Sequence, residues 1–294
     1  MKDITNVPFK KIGEIIPNIP HGKQSPFFKS GFHALDDIIG GFKPGNLYLI
    51  GGHPAMGKTM LILDMAINIA MSTLKPVYIF SLELCEWRIF KYLISKISSL
   101  DFSIVRNQNV NHFPKKQGRC FVRSINSLPI YICDKIKGLY ELVETMQTEI
   151  TDGIVFIDGL QEIDIKRNCK KFQPQGKESE NLPLITCEEI SAVLKQVAGR
   201  KHLPIVITSQ LSRAIEYRED RRPALTDIQD DYIVKNTDAV IFIYRENYYY
   251  YISNTDGIDM DDAELIVAKS NQGFLGTALI RFNRQDARFT NQDN

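Results

Sequence analysis

Cysteine, net charge and long apolar runs are all scarce in this chain, and each scarcity excludes a class of function. The cysteines number five (Cys85, Cys120, Cys133, Cys169 and Cys187), lie far apart and form no CxxC pair. That spacing argues against a zinc ribbon or a dithiol redox centre and fits reduced thiols in a cytoplasmic protein. Lysine and arginine total 36 against 35 aspartates and glutamates, so no global positive charge marks a polyanionic partner. Contact with nucleic acid has to come from a local patch. The opening MKDITNVPFKKIGEIIPNIP lacks the apolar run of a signal peptide, and no later stretch approaches a membrane span. No membrane partner is expected, and no internal repeat is visible.

What is present is a globular composition, 44% hydrophobic over 294 residues, enough for one large core. Residues 1–30 hold Pro8, Pro17, Pro20 and Pro26 with little helical period, which predicts an arm or linker ahead of one domain over 31–294. From Gly31 onward, short runs rich in Ile, Val, Tyr and Phe alternate with stretches of helical length. Strands are predicted at 47–50, 77–80, 130–133, 154–157, 205–208 and 240–244, and helices at 59–72, 87–97, 139–150 and 187–198. Apolar strands separated by helices indicate an α/β fold with a mostly parallel sheet covered on both faces. Segments 263–269 and 276–282 read instead as a C-terminal β-hairpin. Two polar segments, 165–181 and 213–231, are expected as exposed surface.

Gly52-His53-Pro54-Ala55-Met56-Gly57-Lys58-Thr59 fits G-x-x-x-x-G-K-[ST], with Met60 continuing into the next helix. The string alone also occurs in Gly-rich turns that carry a surface lysine. Here an apolar strand precedes it and a helix follows, the order that aims backbone N–H groups and a helix N-terminus at phosphate oxygens. A nucleoside triphosphate is the expected ligand, with Lys58 at the β and γ phosphates and the Thr59 hydroxyl on Mg²⁺. Asp158 ends the apolar run 154–157 and is the candidate carboxylate on the metal side, although structural strands also end in Asp. Glu83 follows the run 77–80 and is placed to serve as a general base, or else to favour the dipole of the next helix. Gln210, after the run 205–208, is placed to sense the γ-phosphate with its amide, or else to cap a turn.

Taken in order, these segments resemble the C-terminal motor domain of DnaB-type replicative helicases, which are hexameric RecA-like ATPases. The likeness covers nearly all of 29–289. The run KSGFHALDDIIGGFKPGNLYLIGGHPAMGKT is similar to the family's entry motif and phosphate loop. Phe80-Ser81-Leu82-Glu83 matches F-S-L-E, whose glutamate is the family's catalytic base. Ile157-Asp158-Gly159-Leu160-Gln161 resembles I-D-Y-L-Q, with Gly159 in place of tyrosine. EEISAVLK, Ser209-Gln210-Leu211-Ser212-Arg213, Arg222-Pro223 with Thr226-Asp227, and Phe242-Ile243-Tyr244-Arg245 follow in the family's order. The resemblance implies ATP and Mg²⁺ as cofactors, a homo-oligomeric ring hexamer, single-stranded DNA in its channel and other replication proteins as partners.

Three departures qualify that picture. The family's K-x-R element, which reaches the γ-phosphate of a neighbouring subunit, reads Lys269-Ser270-Asn271 here, so Lys269 remains a catalytic candidate without its arginine. An arginine finger contributes several kcal/mol to the transition state. Arg281 and Arg284 are the candidate substitutes. The DNA-gripping L-R-E-S-G loop reads Ile228-Gln229-Asp230-Asp231-Tyr232, whose added acid repels phosphate. The basic loop 166–177 either compensates or is simply solvated. Finally, residues 1–30 are too short for the family's N-terminal primase-binding domain. The expected function is an ATP-dependent helicase motor, with an ATPase that assembles or regulates without unwinding as the alternative.

Overall fold

The computed structural model describes residues 27–98, 102, 105, 125–164, 187–228, 231–251, 260–271 and 274–292. The arm up to residue 26, the basic loop 166–177 and residues 229–230 of the channel loop lie outside them. Among the described residues, nine strands form one sheet in the order β3-β2-β4-β5-β1-β6-β7-β8-β9. The first six, β1 (Leu47–Gly52), β2 (Val77–Ser81), β3 (Ile130–Cys133), β4 (Ile154–Asp158), β5 (Ile205–Gln210) and β6 (Ala239–Tyr244), run parallel. The last three, β7 (Met260–Ser270), β8 (Gly276–Asn283) and β9 (Arg288–Asn291), are antiparallel. The expected hairpin is therefore a three-stranded extension. Its extra strand was missed because Arg288–Asn291 is too short and too polar to show a period.

Burial explains which strands sit in the middle. Every residue of β1, β4 and β6 is buried, whereas the edge strand β3 has none that is fully so. Strands with both faces covered need apolar residues throughout, which is how those runs read. On one face lie α1 (His33–Ile39), α2 (Lys58–Thr73) and α3 (Glu86–Ser98), whose Leu35, Leu61, Leu63, Ile89 and Leu93 share a core with Ile50, Ile79 and Phe156. On the other lie α4 (Leu139–Thr148), α5 (Cys187–Lys201) and α6 (Asp231–Asn236), bringing Leu142, Met146, Leu194, Val197 and Ile233 onto Leu49, Val155 and Ile207. A short α7 (Glu246–Tyr251) follows β6.

The entry motif turns out to be architectural. Asp36 accepts hydrogen bonds from the backbone N–H groups of Ser30 and Gly31, at 2.8 and 3.1 Å. Asn68, on the phosphate-loop helix α2, donates to the Ser30 carbonyl. Phe28 pairs with Phe42 and is buried, so the last residues of the segment expected to be an arm belong to the core. The segment 213–231 also departs from expectation, since Ile215, Asp227 and Ile228 are buried and Arg218 is held on Asp227.

A buried ion pair locks the C-terminal extension onto α2. Lys96 Nζ of α3 donates to Asp64 Oδ2 of α2 at 2.7 Å and to the Ala287 carbonyl, while Asp64 also accepts from Phe289 N. Burial pushes Asp64 up and Lys96 down from their ordinary values, and each charge holds the other back. Removing one partner of such a pair strands the other charge. Asp64→Ala is therefore expected to lower stability by about 3–5 kcal/mol, measured as a shift in the denaturant midpoint.

Candidate nucleotide-binding site

Parallel α/β sheets bind ligands beyond the carboxyl ends of their strands. Of the predicted site residues, Lys58, Thr59, Glu83, Asp158 and Gln210 converge at that edge. The chain leaves β1 at Gly52 and enters α2 at Lys58, and the turn between them is tightly constrained. Ala55 sits at φ 61, a left-handed conformation rare for a residue with a side chain. Gly57 sits at φ 101, where an added Cβ would lie 3.0 Å from the Phe289 ring. No side chain caps α2 and no acid occupies its first turn, so the positive end of the helix is left for an anion.

Lys58 is buried and its Nζ donates to the carbonyls of Gly52 and His53, at 2.9 and 3.2 Å. Burial lowers its pKa, against the pull of Glu83 and Asp158. Thr59 Oγ1 donates to Asp158 Oδ2 at 2.7 Å, joining the phosphate loop to the end of β4. Burial pushes Asp158 upward, opposed by hydrogen bonds from Thr59 and Thr208. The oxygens of Thr59 and Asp158 suit a hard divalent cation, which takes one or two protein ligands and completes its shell with phosphate and water. Among the described residues no cluster of three or more acids, histidines or cysteines offers an all-protein metal cage.

Glu83 lies two residues beyond β2 and is held there by Leu82 N, which donates to the Asp158 carbonyl. Gln210 Nε2 donates to Glu83 Oε1 at 3.2 Å. Gly159 occupies the left-handed region at φ 108, with the space for its missing Cβ only 3.1 Å from Glu83 Cγ. Glycine rather than tyrosine at 159 thus keeps the strand end open beside Glu83.

Residues 28–291 match the model of the DnaB-like helicase C-terminal domain. The chain belongs to that family. It is 30% identical over 269 residues to the replicative DNA helicase DnaB of Geobacillus stearothermophilus, covering 89% of this chain and 56% of that protein. The chain thus spans about half the length of the curated relatives it matches. Among solved structures it is similar to the ATPase domain of G40P, with a TM-score of 0.76, 26% identity and 96% of both chains covered. It is also similar to a DnaB-like replicative helicase whose structure is described with its interactions with primase (TM-score 0.78, 25% identity, 96% of this chain and 67% of that one). The fold is accordingly that of a RecA-like DnaB ATPase domain.

Within this DnaB-like domain, Lys269 stands apart from the other candidates. Ser270 pairs with Ala239 at the start of β6, so Lys269 lies at the opposite edge of the sheet from Lys58. Its Nζ donates to the carbonyls of Val234 and Thr237, both at 2.5 Å, at the end of α6. Asn271 Nδ2 donates to Asp238 Oδ1 at 3.0 Å. Arg284 is committed to its own chain, gripping the fully buried Asp261 through Nε and Nη2, and Arg245 Nη2 reaches the same carboxylate.

Three supporting residues were not among the candidate site residues, although Gln161 and Arg245 fall within the matched motifs. Thr208 Oγ1 donates to Asp158 Oδ1 and accepts from Gly159 N, both at 2.8 Å. Gln161 pairs its amide with the backbone of Gln210, and its Nε2 also donates to Ser209 Oγ. Arg245 Nη1 lies 3.4 Å from the Met56 carbonyl, behind the phosphate loop. A polar residue at the end of an apolar strand, true of Thr208 and Arg245, was the available signal.

Proposed function

We propose that this chain is the ATP-hydrolysing motor of a replicative DNA helicase, forming a homo-hexameric ring that translocates on single-stranded DNA. The single observation that carries this reading is the Thr59–Asp158 contact, which ties the phosphate loop to the strand-end carboxylate beside Glu83 and Gln210. In this reading the uncapped end of α2 and Lys58 bind the β and γ phosphates, Lys58 giving up its Gly52 and His53 carbonyl contacts for the ligand. Thr59 and Asp158 hold Mg²⁺. When bound, that ion polarises the β and γ phosphate oxygens. Glu83 accepts a proton from the attacking water, and Gln210 orients the Glu83 carboxylate and reads the γ-phosphate.

Lys269 acts from the adjacent subunit, which requires its ammonium to leave the Val234 and Thr237 carbonyls. The primase described with one structural neighbour makes a replication protein the class of partner. Strand displacement on forked DNA with ATP tests the reading. Unwinding that stops in Lys58 and Glu83 variants supports it. A second reading, an ATPase that assembles without unwinding, is favoured by Asn271, which hydrogen-bonds Asp238 where an arginine finger would project. ATP turnover with no displaced strand would select it.

A further inference from the structure

The asparagine at 271 leaves open which cation faces the charge that develops as the β–γ bond breaks. The arginines on the nucleotide-binding edge are mostly spoken for. Arg245 and Arg284 hold Asp261, Arg218 holds Asp227, and Arg222 holds Glu264 in a two-pronged pair. Arg213 differs from these. It is exposed and, among the described residues, makes no hydrogen bond or ion pair.

The backbone fixes where Arg213 faces. β5 runs beside β1 with Gln210 opposite Gly52, and Leu211 N donates to the Gly52 carbonyl, so the chain leaves the sheet against the phosphate loop. Ser212 then caps a 3₁₀ helix, Arg213–Tyr217, by accepting from Ala214 N. Residues three apart eclipse one another in a 3₁₀ helix, so Arg213 and Glu216 share a face. Glu216 Oε1 lies 2.5 Å from Nε2 of His53, a buried phosphate-loop residue, which identifies that face as the one turned to the loop. Consistent with this, His53 is held below its ordinary pKa mainly by burial, with the charges of Lys58 and Arg213 acting in the same direction against Glu216.

We propose that Arg213 is a catalytic residue that contacts the γ-phosphate from within the same chain, supplying the cation that Asn271 does not. The proposal rests on the ATP-hydrolysis reading above. In the step concerned, a water oxygen bonds to the γ-phosphorus as the bond from that phosphorus to the β–γ bridging oxygen breaks. One water proton passes to the Glu83 carboxylate, and the bond's electron pair leaves with ADP. The Arg213 guanidinium, planar and permanently charged, offers donors to the γ-phosphate oxygens as that charge moves.

The test is steady-state ATP turnover by the full chain, with affinity for a non-hydrolysable ATP analogue measured separately. Arg213→Ala is expected to lower kcat by about 1,000-fold or more, the low end of an arginine finger's contribution, while the analogue's Kd changes by less than about threefold. Arg213→Lys keeps the charge and retains more turnover than Arg213→Ala, a difference that a purely structural role would not produce. Trapping ADP with aluminium fluoride should fail in Arg213→Ala and succeed in the parent. Mixing Arg213→Ala chains with Glu83→Gln chains separates same-chain from neighbouring action. A same-chain arginine leaves every mixed site incomplete, so activity stays absent. Recovered turnover in the mixture, or a kcat for Arg213→Ala within about threefold of the parent, overturns the proposal. A parent chain that binds ATP but never hydrolyses it overturns the hydrolysis reading beneath it, a result distinguishable from either.

Discussion

Glu83→Gln is expected to leave ATP bound while its turnover falls by about a thousandfold, within the range that a positioned general base contributes. The substitution preserves size and hydrogen-bonding reach. Gln210 Nε2, now 3.2 Å from Glu83 Oε1, can meet the amide oxygen of the new side chain equally well. What disappears is the ability to take a proton from water. Binding should persist because the groups proposed to contact phosphate, the α2 N-terminus and Lys58, lie on a different strand end. Quenched-flow measurement of ADP formation separates the two quantities. Unchanged turnover would remove Glu83 from the chemistry and return it to its other reading, a carboxylate favouring the helix that begins at Glu86.

The second large effect concerns binding. Lys58→Ala should weaken ATP affinity by about 100-fold or more, the scale of removing one partner from a desolvated charge pair. Lys58 is buried with burial already lowering its pKa, and its present acceptors are two loop carbonyls rather than a carboxylate. A buried ammonium held only by carbonyls gains strongly when a polyphosphate arrives. Calorimetric titration of ATP reads this directly. An affinity within a few fold of the parent would show that the backbone amides alone carry the triphosphate.

The parallel core was legible because its physics is local. Strands covered on both faces must be apolar throughout, so Leu47–Gly52 and Ile154–Asp158 announced themselves, each too short by a residue or two at the polar end. Those polar ends are where the site lies. The helix at Lys58–Thr73 was equally visible from its long apolar content between a glycine and the turn at Leu74. Short elements were not. His33–Ile39, Glu246–Tyr251 and Arg288–Asn291 span too few residues for a period to emerge, and their placement depends on partners distant in sequence.

In the candidate site, Lys58 and Thr59 could be nominated from the phosphate-loop string, and Glu83, Asp158 and Gln210 because each ends or follows an apolar strand. Their mutual contacts could not, since Thr208 on Asp158 and Gln161 on the Gln210 backbone arise only when neighbouring strands pair in register. His53 illustrates the same limit. As a string it is an unspecified position in the phosphate-loop motif, yet in the fold it is buried against Glu216, 163 residues along the chain (216 less 53). Lys269 shows the converse. The motif that singled it out is legible, but its ammonium caps α6 at the far edge of the sheet, where sequence spacing says nothing about which subunit it serves.

The function proposed for the carboxyl edge of this sheet is DNA-coupled ATP hydrolysis. Its most direct test is the rate of ATP turnover by the intact chain, with and without single-stranded DNA. Mg²⁺-dependent turnover is expected, rising when single-stranded DNA is added and lost in Glu83→Gln. Tight ATP binding with no hydrolysis in either condition, or turnover indifferent to DNA at every concentration, would contradict it.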